Sequence, residues 1–460
     1  MESKKQTFFK GEPTKDFFID FLTKDIALDK AIIDLVDNSI DAAKSQKSLT
    51  ESHYDFSDNK IELFINEDEF IISDNCGGFS LDVAKDYALR IGRPDGIDFA
   101  KNSIGRFGVG MKRAVFKLGK QIYIESKCHN GDHFKVEIDV DKWKNKTIEV
   151  STTENEKFEI IDWNFDFELI EKQSESRLDK NTFGTFISVK HLREEVKEEF
   201  RSNVSIKKLI VDLETTLAYS LENGLKIFLN KISLQPRPIL LLYSDLVKPY
   251  AINRKFGDIS VDIIAGVGEP SPDDAGWYIY CNDRMMISAN KENLTGWQGG
   301  KNYFSDTGVQ KYHNKVAMFR GLVFFNAEDS KLLPMTTTKI GIDSDSKLYK
   351  SVRELMIEAM KIVLSKLNEI DSHDDRKNIV DNTEKKDVKD ILSNLTQNFY
   401  FPNPETNSTD SSISMKRISY QVDGKLFENV AEFLNTKTGK TIGIETFNYF
   451  VKMNDLDEIN

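Results

Sequence analysis

Residues 31–43 read "AIIDLVDNSIDAA", and how this stretch is understood decides the fold. Its apolar residues recur at helical spacing, yet three aspartates and one asparagine interrupt them. On a helix at about 100° per residue, Asp34, Asn38 and Asp41 fall within roughly 60° of one another, while Ile32, Val36, Ile40 and Ala43 point away. Such a polar stripe is either the solvated face of a surface helix or the lining of a ligand site. The rest of the chain decides between them.

Residues 60–74, "KIELFINEDEFIISD", alternate in polarity and predict a hairpin of two strands. The hairpin runs into "DNCGG", where Asp74 can accept hydrogen bonds at a cleft while Gly77 and Gly78 let the backbone approach a flat ligand. Residues 80–92 predict a helix, and 93–107 a mobile loop over a site. Next, "SIGRFGVGMK" (103–112) places Gly105, Gly108 and Gly110 at the opening of a helix, whose free amides suit a phosphate. This is not the dinucleotide fingerprint, because helix and loop precede it rather than the first strand of a βαβ unit. A Gly-Lys-Thr in "TKTGKTIG" (436–443) is no Walker loop, since Leu434 stands where the earlier glycine is required.

In this order, and followed by "GTFISVK" at 184–190, the motifs resemble the GHKL ATPases: gyrase B subunits, MutL, the large heat-shock chaperones, histidine kinases and MORC proteins. The resemblance covers roughly the first half of the chain and implies an ATP site with magnesium. It implies Asp34 as general base, Asn38 as the magnesium-binding residue, and Asp74, with Gly78 in its turn, as reader of the adenine amino group. Gly105, Gly108 and Gly110 would form a lid over the phosphates, Thr185 would lie beside the adenine, and Lys112 would add charge near the phosphates. Two departures stand out: Asp34 occupies a position where the family keeps Glu, and Cys76 replaces the first glycine of the adenine turn. Aspartate is one methylene shorter, so the attacking water must sit about an ångström closer or be reached through a second water, which implies slow hydrolysis.

The later strand-like segments "NGLKIFLN", "DISVDIIAGVG", "WYIYCNDRMMI" and "GLVFFNA" precede a long amphipathic helix at 346–370. This part resembles the transducer domain of gyrase-, MutL- and MORC-like members. "LLPMTTTKIGID" (332–343) resembles the loop that carries a lysine back to the γ-phosphate, which makes Lys339 the candidate. The resemblance further implies an ATP-dependent homodimer that clamps or recruits a partner, DNA being one candidate. Bacterial proteins of this general type are also found in antiviral defence. An ATP-sensing scaffold that barely turns nucleotide over and a client-binding chaperone are the alternatives.

The predicted fold class is α/β: a Bergerat-type α/β sandwich, then an α/β transducer-like domain, then a small C-terminal module. The expected boundaries are 1–222, 223–370, a linker at 371–414 whose charged first part, 371–390, reads as linker or as a solvated helix extension, and a partner-docking module at 415–460. In that module Tyr420, Phe427, Phe433, Phe447, Tyr449 and Phe450 are expected to form the core. A net charge of −12 over 460 residues disfavours coating nucleic acid over the whole surface. With no apolar run of about 18 residues, the chain is expected in the cytoplasm rather than in a membrane. Cys76, Cys128 and Cys281 are widely spaced, which favours reduced thiols over a disulfide framework or a zinc site.

Overall fold

The computed structural model describes residues 13–24, 26–47, 54–90, 110–151, 157–297, 309, 311–336, 341–370, 373–392, 397–402, 421–434, 436 and 438–453. The chain divides into two compact units, Met1–Pro404 and Glu405–Asn460.

The first unit opens with helices α1 (Lys15–Lys24) and α2 (Leu28–Ser45) and the hairpin β1 (Lys60–Ile65) and β2 (Glu69–Asp74). Alternate burial along the hairpin turns Ile61, Leu63, Ile65, Phe70 and Ile72 into the core. There they share one apolar cluster with Ile32, Ile33, Leu35, Val36 and Ile40 of α2. Where a longer helix is predicted, Ser80 caps only α3 (Leu81–Val83), which continues as a π turn through Ala84–Ala88. Then come α4 (Gly110–Leu118), β3 (Gly119–Lys127), β4 (His133–Asp139), α5 (Val140–Lys144), the hairpin β5 (Thr147–Ser151) and β6 (Lys157–Ile161), β7 (Phe167–Leu169) and β8 (Gly184–Leu192). Helices α6 (Glu194–Arg201), α7 (Asn203–Thr216) and α8 (Ala218–Glu222) lead to β9 (Lys226–Leu229) and β10 (Ile232–Ser233).

One eight-stranded sheet in the order β10-β9-β1-β2-β8-β3-β4-β7 results, antiparallel except where β9 joins β1. This mixed sheet under a helical layer is the expected α/β sandwich. It runs past residue 222, however, because Lys226–Leu229 pair with Lys60–Leu63. α8 also ties two cores together: Leu221 packs under the first sheet, while Tyr219 packs on Tyr280 and Phe324 of the second.

The second sheet has the order β12-β13-β16-β14-β15, built from β12 (Tyr250–Phe256), β13 (Ile259–Val267), β14 (Gly276–Cys281), β15 (Arg284–Asn290) and β16 (Phe319–Asn326). The long helix α9 (Lys347–Glu369) buries Tyr349, Val352, Met356, Met360, Val363 and Leu367 in the same cluster as Trp277, Phe319 and Phe325. The charged stretch after it is not a linker throughout. α10 (His373–Asp381) is followed by β17 (Glu384–Asp387), which pairs with β11 (Leu240–Tyr243), and Val388 and Ile391 of α11 (Val388–Ile391) are buried. A few apolar residues suffice because the strand gains a ladder partner from a distant part of the chain.

In the second unit, α12 (Gly424–Phe433) and α13 (Gly439–Met453) form, and Gly439 of the Gly-Lys-Thr run simply opens α13. The expected aromatic core does not: Phe433, Phe447, Tyr449 and Phe450 are exposed, Phe427 is half-buried, and Tyr420 lies outside the described residues. Two short helices have too little surface in common to enclose six rings. No described helix is long and apolar enough to cross a membrane.

Glu125 on β3 is fully buried and ties the first sheet to the segment beyond it. It accepts hydrogen bonds from Tyr123 Oη at 2.8 Å, Ser176 Oγ at 2.5 Å and the Arg177 amide at 2.8 Å, and it faces His133 Nε2 at 2.9 Å. Burial pushes its pKa up, but these bonds outweigh it and hold the carboxyl below its ordinary value. Glu125→Ala is therefore expected to cost about 1–3 kcal/mol near neutral pH in denaturant unfolding. A depressed carboxyl stabilises the fold above its unfolded pKa, so the deficit should shrink as the pH falls through the folded value.

Candidate functional site

β2 delivers Asp74 to a point where three backbone segments converge. Gly77 and Gly78 turn the chain at φ of 95° and 64°, a left-handed conformation that favours glycine. A Cβ on Gly78 would lie 2.7 Å from the Lys127 carbonyl and 2.8 Å from that of Gly184, and one on Gly184 would lie 1.9 Å from the Asp74 carbonyl. The buried Asp74 carboxyl accepts from Ser39 Oγ at 2.6 Å, the Cys76 amide at 2.9 Å and the Thr185 amide at 3.1 Å. Burial raises its pKa against the pull of those three bonds. Cys76 is tolerated in place of glycine because the left-handed residues of the turn are the next two; its thiol is buried, with Asn59 Nδ2 3.8 Å from Sγ.

Helix α2 meets this turn through Ser39, so two of the sequence motifs are joined by a direct hydrogen bond. The solvated-face reading of residues 31–43 is wrong: Asp34 and Asp37 are each only 1% exposed, and Asn38 is half-buried. Charge enters from two other elements. Arg113 Nη2 of α4 lies 2.5 Å from Asp34 Oδ2, and Arg284 Nη1 of β15 lies 2.6 Å from Asp37 Oδ2 and 3.8 Å from Asp34 Oδ1. Buried carboxylates without such partners would be very costly. The Asn38 Nδ2 atom is buried with no hydrogen-bond partner among the described residues, an orphaned amide end one helical turn from Asp34 on α2. A magnesium–phosphate group fits that donor set, since an amide can turn its oxygen to a hard cation.

Gly110 starts α4 against this face, and a Cβ there would lie 3.4 Å from Asp34 Oδ2. Two residues on, Lys112 is 3% exposed and donates to the Ala88 carbonyl at 2.7 Å, which anchors α4 to the π turn. Burial lowers its pKa to about 7. Thr185, half-buried, contributes its amide to Asp74. Asp34, Asn38, Asp74, Gly78, Gly110, Lys112 and Thr185 thus lie on α2, the β2 turn, α4 and the start of β8. Gly105, Gly108 and Lys339 lie outside the described residues. The segments flanking Lys339 are joined by the Thr336 amide donating to the Gly341 carbonyl at 3.0 Å and by a bridge between Met335 and Ile342.

Ser39, Arg113 and Arg284 belong to the site without being singled out by the motifs. Ser39 and Arg113 adjoin Asn38 and Lys112, and a buried carboxylate's need for a donor signals both. Arg284 has no local signal. A Gly78→Ala chain is expected to lose about 1–3 kcal/mol of stability through backbone strain and the carbonyl contacts, read as a lower denaturation midpoint.

No curated protein matches the chain significantly. Residues 26–176, the segment that holds α2, the Asp74 turn and α4, match the family model described as histidine kinase-, DNA gyrase B-, and HSP90-like ATPase.

Proposed function

We propose that the chain binds ATP with magnesium against α2, the Asp74 turn and the start of α4, and hydrolyses it slowly. The observation that carries this reading is Asp74: a buried carboxyl at a glycine-lined strand end, hydrogen-bonded to the helix that presents Asp34 and Asn38. An acceptor so fixed recognises an exocyclic amine, and Thr185 flanks it. Asn38 is the residue to hold magnesium, which when bound would neutralise phosphate charge. Gly105, Gly108 and Gly110 are proposed as the lid and Lys339 as a cation for the γ-phosphate. Asp34 takes the proton of the water that attacks the γ-phosphorus as the bond to the β-phosphate oxygen breaks, leaving ADP and inorganic phosphate.

The contact between Arg113 and Asp34 favours slow turnover, and also supports a second reading, an ATP sensor with negligible hydrolysis. A carboxylate oxygen engaged by a guanidinium is a poorer proton acceptor until the pair rearranges. In either reading ATP acts as a conformational switch, proposed to close a homodimer. The exposed helices of the second unit are proposed to dock a protein partner, with DNA an alternative partner.

Asp74→Asn is expected to weaken ATP binding roughly 10- to 100-fold by titration calorimetry, the loss of one hydrogen bond to a charged acceptor. Asp34→Asn should keep ATP affinity within about threefold while lowering phosphate release on the order of 100-fold or more. Unchanged phosphate release in Asp34→Asn would remove it as the base, and absence of release in the parent with ATP still bound would establish the sensor.

Lys112 adds a protonation test. Its pKa of about 7 leaves it mostly neutral in mildly alkaline buffer, and a triphosphate nearby favours the charged form. ATP binding there should take up as much as about one proton, seen as a buffer-dependent binding heat, and Lys112→Met should abolish the uptake.

A further inference from the structure

We propose that Arg284 is a positioning residue for Asp34, and that it makes the turn between β14 and β15 the element through which the second sheet reads the nucleotide site. The inference rests on the ATP site proposed above, but the residue lies outside the matched segment and outside the motifs that define the nucleotide site.

The turn is built to hold its place. Asn282 and Asp283 adopt φ of 46° and 70°, the left-handed pair that closes a two-residue hairpin with the twist of its strands. The Asn282 side chain clamps the end of β16 in both directions, donating to the Ala327 carbonyl at 3.0 Å and accepting from the Ala327 amide at 3.0 Å. Asp283 pairs with Lys389 of α11 at 3.2 Å. On the other side Lys44, in the last turn of α2, donates to the Asn282 carbonyl at 3.4 Å. Arg284, the first residue after the two-residue turn and 4% exposed, is thereby aimed at the middle of α2.

What it meets there is chemically specific. Its guanidinium lies between two buried carboxylates, 2.6 Å from Asp37 and 3.8 Å from Asp34. With Arg113 on the opposite oxygen of Asp34, two aspartates and two arginines meet in one buried cluster. If Arg284 is removed, the repulsion between Asp37 and Asp34 across one helical turn is no longer offset from β15, and the Asp34 carboxylate loses the cation on its Oδ1 side. Conversely, Asp34 cannot move towards a bound nucleotide without altering the pair with Arg284. Because the turn is locked to β16 and α11, a change at Arg284 is passed on to the sheet rather than absorbed by a loop. Such coupling needs a packed element that both sites bias, and this one is packed on both sides.

The test compares the parent chain with Arg284→Gln, Arg284→Lys and the double variant Asp37→Asn/Arg284→Gln, which removes both charges of the pair together and so avoids the cost of taking one buried ion from the other. Steady-state ATP hydrolysis is measured together with hydrogen exchange across 276–290, with and without a non-hydrolysable ATP analogue. Arg284→Gln and the double variant are expected to lower kcat about tenfold or more with KM within about threefold, and Arg284→Lys to recover part of the loss. In the parent the analogue should change exchange in β14 and β15, and in both Gln variants this response should vanish. A folded double variant that keeps the parent's kcat and exchange response overturns the proposal, whether or not Arg284→Gln itself folds. A parent that binds ATP without any response in β14 and β15 refutes the reading role alone, whereas a parent that binds no ATP refutes the nucleotide site and this inference together.

Discussion

Two carboxylates buried on one helix set the terms for the rest of the molecule. Asp34 and Asp37 of α2 are almost wholly removed from water, a state that is tolerable only where cations are brought to them. One guanidinium comes from α4 and one from β15. A helix that could have been a surface element thus becomes the place where three parts of the chain must meet. Its apolar side packs on the sheet, and Ser39, set apart from the Asp34 and Asn38 stripe, ties the helix to the glycine turn at Asp74.

The turn imposes a second constraint, steric rather than electrostatic. Gly78 and Gly184 sit where no side chain has room against neighbouring carbonyls, which brings the backbones of β2, β3 and β8 close enough to surround one carboxyl. Asp74 is held by two amides and a hydroxyl, so its direction is set before any ligand arrives. Preorganisation of this kind would serve the role proposed for Asp74, reading an exocyclic amine, because rigid acceptors reject groups that cannot donate.

Much of this was legible in the residues. The hairpin at 60–74, the helix containing Asp34 and Asn38, the glycine turn and the α/β class follow from alternation, helical spacing and turn chemistry, all local signals. Other features were not. Glu384–Asp387 is highly charged and reads as linker, yet it pairs with β11, because a ladder depends on the partner more than on the strand's own composition. The aromatic residues of the last helices read as a core but remain exposed, since ring content does not say whether two short helices can enclose the rings. The first sheet continues beyond residue 222, because a parallel pairing such as β1 with β9 joins segments that are distant in the chain.

The sequence by itself determined the elements of the site: a helix with a polar face, a carboxylate before paired glycines, and a glycine-rich entry to the next helix. Each of these is a relation among neighbours, fixed by φ/ψ preference and periodicity. Only the tertiary structure decided that the polar face is buried, that Ser39 binds Asp74, and that Arg284 from the second sheet lies between Asp37 and Asp34. Burial and ion pairing depend on which surfaces the folded chain brings together, and no local pattern around an arginine records the carboxylate it will meet.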